Sequence, residues 1–139
     1  MIDIIGQKTL QSKLLTLIKE NKMPRTLMLV GNKGSGKRTV ARGIVSNYEA
    51  LEVLLPDTKV ATVREMISNA YTISDSVYYI IPDVDTMSPA AENALLKIIE
   101  EPLNKAFFIL TARNVDNVLP TIRSRASGNS SLPTTFISN

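Results

Sequence analysis

The chain contains no cysteine and no histidine. The first absence excludes disulfides and thiol nucleophiles, and together the two exclude Cys/His zinc sites and histidine-based catalysis. Any chemistry must rest on Lys, Arg, Asp, Glu, Ser and Thr. Aromatic residues make up only 5% of the chain, which argues against a platform for stacking single-stranded bases as the main role. No apolar run approaches the ~20 residues of a membrane span. The start, Met1-Ile2-Asp3, lacks the basic-then-apolar form of a secretory signal, so no membrane partner and a cytoplasmic place are expected. A strong charge of one sign is also missing. The net charge of +3 and pI near 9.3 suit nucleic acid or nucleotide phosphates without selecting either. What is present, 139 residues at 44% hydrophobic, is enough for one domain with one core, burying roughly 70% of the unfolded chain's surface.

Periodicity gives the order of elements. Leu10, Leu14, Leu17 and Ile18 lie at helical spacing, and Asn21-Lys22-Met23-Pro24 ends that pattern. Thr26 to Val30 is a continuous apolar run, as expected of a strand covered on both faces, and a helix should begin near Lys37. Leu51 to Leu55 is the next strand candidate, and Val60, Val63, Ile67 and Tyr71 form a helical stripe. Val77 to Ile81 is again strand-like, Ser88-Pro89 is a cap with proline at the first helical position, and Pro102 closes that helix. Ala106 to Thr111 supplies a further strand. Alternating strands and helices predict a three-layer α/β fold on a central parallel sheet, with ligands at the strands' carboxyl ends. Residues 1–126 are assigned to this core. Residues 127–139 read as a polar tail in which Thr134 to Ile137 could form a short edge strand.

Gly31-Asn32-Lys33-Gly34-Ser35-Gly36-Lys37 matches the GxxxxGK part of a phosphate loop, set between an expected strand and an expected helix. Glycines let the backbone curl its N–H groups toward a phosphate, the helix start adds positive potential, and Lys37 can reach the β and γ phosphates. Gly31, Gly34, Ser35, Gly36, Lys37, Arg38 and Thr39 are therefore the candidate nucleotide-binding residues. The motif is incomplete. Its next position should carry a hydroxyl for Mg²⁺ and holds Arg38, with Thr39 one place later.

Tyr78-Tyr79-Ile80-Ile81-Pro82-Asp83-Val84-Asp85, then Thr86 through Lys97 and Glu100-Glu101-Pro102, resembles the Walker B segment and following helix of bacterial clamp-loader subunits of DNA polymerase III. Ile5-Gly6-Gln7, Met23-Pro24-Arg25 and Leu119-Pro120-Thr121-Ile122-Arg123-Ser124-Arg125 extend the resemblance over nearly everything up to Arg125. It implies the P-loop NTPase core of the AAA+ class. In that family the strand ends in an acidic pair, one member for Mg²⁺ and one polarising water, and those places hold Pro82 and Asp83. Read from the residues alone, Asp83 and Asp85 are equally a solvated acidic turn, with Asp85 favouring the start of the next helix.

Arg38 and Pro82 fall on the two groups that would hold one metal ion, so the resemblance points to the delta-prime type, a stator with a degenerate ATP site. ATP or ADP is the expected ligand, without a Mg²⁺ held by protein groups and without zinc. Ser124-Arg125, followed by Ala126, stands where the family has Ser-Arg-Cys, which makes Arg125 the candidate arginine finger in a neighbouring subunit's ATP site. Asp83 is the degenerate Walker B acid and Thr111 the candidate sensor of the γ phosphate, with Arg113 close behind. Implied partners are other loader subunits and, through the assembled complex, primer-template DNA and the sliding clamp. The lid and collar of the family have no counterpart up to Asn139, so the chain alone is expected to be a monomer. Two alternatives stay open: a working ATPase motor in which Thr39 and Asp83 shift to rebuild the metal site, and a stand-alone nucleic-acid-binding domain using Lys33, Lys37, Arg38 and Arg42.

Overall fold

The computed structural model describes residues 16, 19–20, 25–32, 34, 36–101, 105–118 and 135–136. Five strands form one sheet in the order β2-β3-β4-β1-β5, with every neighbouring pair parallel. They are β1 (Thr26–Val30), β2 (Leu51–Leu54), β3 (Val77–Ile81), β4 (Ala106–Ala112) and β5 (Thr135–Phe136). β1 and β3 are buried along their whole length, because helices cover both faces and leave no polar side to alternate with. β2, on one edge, is mostly exposed.

Three helices pack on this sheet: α1 (Lys37–Val45), α2 (Val60–Ala70) and α3 (Pro89–Glu100). α1 covers one face, where Val40, Ala41, Ile44 and Val45 meet Leu27, Leu29, Ile80 and Ile109. α2 and α3 cover the other, with Val63, Met66, Leu95 and Ile98 against Met28, Tyr79, Phe108 and Leu110. The result is the three-layer α/β arrangement. Side-chain alternation explains the split, since successive residues of β1 serve opposite faces.

Local signals account for the boundaries. Ser88 caps α3 by accepting from the Ala91 N–H at 3.2 Å, with Pro89 at the first helical position, so one first-turn donor is satisfied and another is absent by residue type. The expected stripe of α2 needs correction. Val63, Met66 and Ala70 are its buried residues, whereas Tyr71 lies past the helix end and is 69% exposed. β4 also runs one residue beyond its expected end, to Ala112. Of the helix expected before β1, Thr16, Lys19 and Glu20 fall among the described residues, the first two helical and Glu20 in a turn.

The sheet's amino end is closed by a stack of rings. Tyr48, Tyr78 and Phe107 follow one another at centroid distances of 5.2 and 4.7 Å. The Arg25 guanidinium lies 5.1 Å from the centre of Phe107 and donates through Nη1 to Ala106 O at 3.0 Å.

Candidate functional site

At the opposite, carboxyl end, the chain leaves β1 for the phosphate loop, β3 for Pro82-Asp83 and β4 for Arg113-Asn114. A cavity of about 340 Å³ opens between them, lined by Gly34, Gly36, Lys37, Arg38, Thr39, Asp83, Thr111 and Arg113. Parallel sheets place ligands at such a crevice, where neighbouring connections diverge to opposite faces. A larger cleft of about 650 Å³ lies between α2 and α3, lined in part by Arg64, Tyr71, Asn93 and Lys97. None of the described residues singled out for phosphate chemistry lines it.

Gly36 precedes α1 with φ +86, and Gly34 has φ +83. A Cβ at either position would meet nothing within 4 Å, so backbone conformation, not space, requires glycine there. Lys37 is 8% exposed and its Nζ donates to Gly31 O at 2.6 Å and Asn32 O at 2.9 Å. An ammonium has three protons, so one remains for a phosphate oxygen. Burial lowers the Lys37 pKa; Asp83 and Asp85 push it up, while Arg113 pushes it down. Arg38 and Thr39 are exposed in the first turn of α1.

Asp83 has left-handed backbone angles, φ 55 and ψ 47. This conformation is uncommon outside glycine, though Asp tolerates it better than most. Three hydrogen bonds hold it. Its N–H donates to Thr111 Oγ1 at 3.1 Å, and its carbonyl accepts from Thr86 N at 2.9 Å and Thr86 Oγ1 at 2.7 Å. Thr111 is thus brought against Asp83, and its hydroxyl proton stays available to a ligand.

Asp85 stands in the first turn of the short 3-10 helix Val84–Thr86 and also joins two loops. Its Oδ2 accepts from Arg113 N at 3.3 Å and Asn114 N at 3.0 Å, tying the loop after β3 to the loop after β4. Sequence reasoning missed this, because the link spans 28 residues and no spacing rule reports it. Arg42, offered above as part of a basic patch, is instead paired with Glu52 at 3.2 Å. Ser35, Lys33 and Arg125 lie outside the described residues.

The donor set separates two ligands. Lys37, the two left-handed glycines and the start of α1 suit the phosphates of a nucleotide. A magnesium ion needs hard oxygen ligands, and the cavity offers one carboxylate, Asp83, among Lys37, Arg38 and Arg113. Among the described residues, no group of three or more His, Cys, Asp or Glu could hold a metal. The motif's two metal positions, Arg38 and Pro82, offer no oxygen side chain to a Mg²⁺. No helix among the described residues is long and apolar enough to cross a membrane.

The family model described as "DNA polymerase III, delta subunit" matches residues 57–130, more than half of the chain. The chain belongs to the DNA polymerase III delta subunit family. The match takes in β3, the Asp83 turn, α3 and β4, the segment whose wording resembles clamp-loader subunits. A "DNA polymerase III subunit gamma" from Buchnera aphidicola subsp. Schizaphis graminum is 33% identical over 88% of this chain and 42% of its own length. A "DNA polymerase III subunit delta'" from Yersinia pestis is 35% identical over 68% of this chain and 31% of its own length. The chain therefore spans less than half the length of these relatives. In three dimensions it matches a gamma subunit-related protein of Thermotoga maritima with TM-score 0.67 at 22% identity, over 91% of this chain and 45% of that one. That likeness assigns the AAA+ P-loop fold.

Proposed function

We propose that this chain is the nucleotide-site core of a DNA polymerase III clamp-loader subunit of the delta-prime type. It acts in DNA replication beside other loader subunits and, through the assembled complex, on primer-template DNA and the clamp. Its own site hydrolyses ATP weakly or not at all, and Arg125 serves a neighbour's ATP as an arginine finger. One observation carries the non-hydrolysing part of the reading: the metal positions of the motif hold Arg38 and the buried Pro82. Mg²⁺ neutralises charge developing between the β and γ phosphates, so a site that cannot hold it loses much of its transition-state stabilisation.

A motor subunit is the second reading, favoured by Thr39 and Asp83 lining the same cavity and by the gamma-type relative. The two readings part on a single comparison in a fully assembled loader. Under the stator reading, Arg125→Ala lowers DNA-stimulated ATP turnover by about 10³-fold or more, leaves assembly intact and is poorly rescued by Lys, while Lys37→Ala has little effect. A crippling Lys37→Ala beside a silent Arg125→Ala makes this chain a motor.

A further inference from the structure

The first turn of α1 holds Lys37 and Arg38 and no acidic residue. Cations there oppose the helix dipole, and Arg113 faces the same cavity from β4's end. Among the described residues, neither the Arg38 nor the Arg113 guanidinium has a hydrogen-bond or ion-pair partner. Three cations thus line a cavity that has Asp83 in its wall and Asp85 at its edge, an excess of positive charge that an anion would complete. Asp85 makes the arrangement more definite, because it fixes the backbone of Arg113 and Asn114 at the cavity's edge. A loop held in place loses less freedom when its side chain engages a ligand.

We propose that this site binds the polyphosphate of a nucleotide without a divalent cation, with the guanidinium groups of Arg38 and Arg113 flanking Lys37 and taking over the neutralising role of the metal. The inference rests on the non-hydrolysing reading and gives it a ligand state. Guanidinium groups suit the task because their planar fork bonds two phosphate oxygens at once and stays charged at any working pH. They neutralise a bound phosphate without supplying the metal's geometry, so binding and turnover are uncoupled. Lys37, whose charge is disfavoured by its burial and by Arg113, gains a compensating charge when an anion arrives.

The test is equilibrium titration of the purified chain with ATP and, separately, with inorganic tripolyphosphate, in EDTA and in excess Mg²⁺. Both probes should bind in EDTA, and Mg²⁺ should change affinity by less than about tenfold. Arg113→Gln and Arg38→Thr should each weaken binding in EDTA about tenfold, the loss of one charge-assisted contact. Both residues are exposed, so neither change threatens the core, and Arg64→Gln on the α2–α3 cleft is the control for charge alone. Failure of both probes to bind, or EDTA affinities indifferent to Arg38 and Arg113, overturns the inference. ATP binding that requires Mg²⁺ but gives no turnover also overturns it and leaves the stator reading standing. Turnover abolished by Lys37→Ala sinks the stator reading whatever the EDTA titration gives.

Discussion

At the amino end of the sheet, Arg25 lies over Phe107 and bonds Ala106 O; at the carboxyl end, Arg38 and Arg113 line a cavity and pair with nothing among the described residues. The same side chain closes one end and charges the other. Around Arg25 the neighbours are rings and a carbonyl, which satisfy a guanidinium locally. Around Arg38 and Arg113 they are another cation, glycine backbone, two threonines and Asp83, with Asp85 holding the Arg113 backbone and neither guanidinium. Stability is concentrated where partners are complete, and ligand binding where they are not. The two ends should therefore respond to mutation independently, and three measurements press on that separation.

The largest effect is expected at the closed end. Tyr78 is 3% exposed and sits between Tyr48 and Phe107, so Tyr78→Ala should cost about 3–5 kcal/mol in urea unfolding. Polyphosphate affinity of the molecules still folded should not change. If affinity falls with stability, the two ends form one cooperative unit and the contrast is lost.

A smaller effect is expected from Asp85, which touches no ligand in this account and acts by positioning Arg113. Asp85→Ala removes the acceptor of two exposed backbone N–H groups, which water can replace in part, and should cost about 1 kcal/mol. Asp85→Asn keeps a carbonyl acceptor and should recover most of that. A merely structural role would move stability alone; a positioning role also weakens polyphosphate binding in Asp85→Ala and restores it in Asp85→Asn.

The smallest effect is a pH slope. Lys37 has a pKa lowered from the usual 10.5, chiefly by burial, with Asp83, Arg113 and Asp85 as the charges acting on it. Between the lowered value and 10.5 the unfolded chain binds more protons than the folded one, so stability of the ligand-free protein rises with pH across that window. Bound phosphate reverses the preference. Affinity should fall as pH climbs through the lowered value, by no more than about tenfold per pH unit for one proton. The measurement belongs above roughly pH 8, where phosphate groups have finished titrating. Lys37→Arg, which keeps its charge there, should flatten the slope.

How much could be read in advance differs between elements. The runs Thr26–Val30 and Val77–Ile81 were legible because burial on both faces leaves a continuous apolar signature. The phosphate loop was legible because its glycines and lysine do their work within seven consecutive residues. Tyr71 was misplaced on the buried stripe, because helical period continues past the point where the helix stops. Asp85 and Arg113 were underread for a different reason. Each is ordinary in its own segment, and only their approach across 28 residues gives them a role.

By itself, then, the sequence determined the alternation of strands and helices and the phosphate loop, with Arg38 where the motif carries a hydroxyl. These are local matters of residue type and spacing, and they were enough to reach the family. Only the tertiary structure decided that Arg42 is spent on Glu52, that Thr111 supports the Asp83 backbone, and that Arg113 stands beside Lys37 in one cavity. The physical reason is the parallel sheet: it gathers the carboxyl ends of β1, β3 and β4, whose residues lie far apart along the chain, within reach of one ligand.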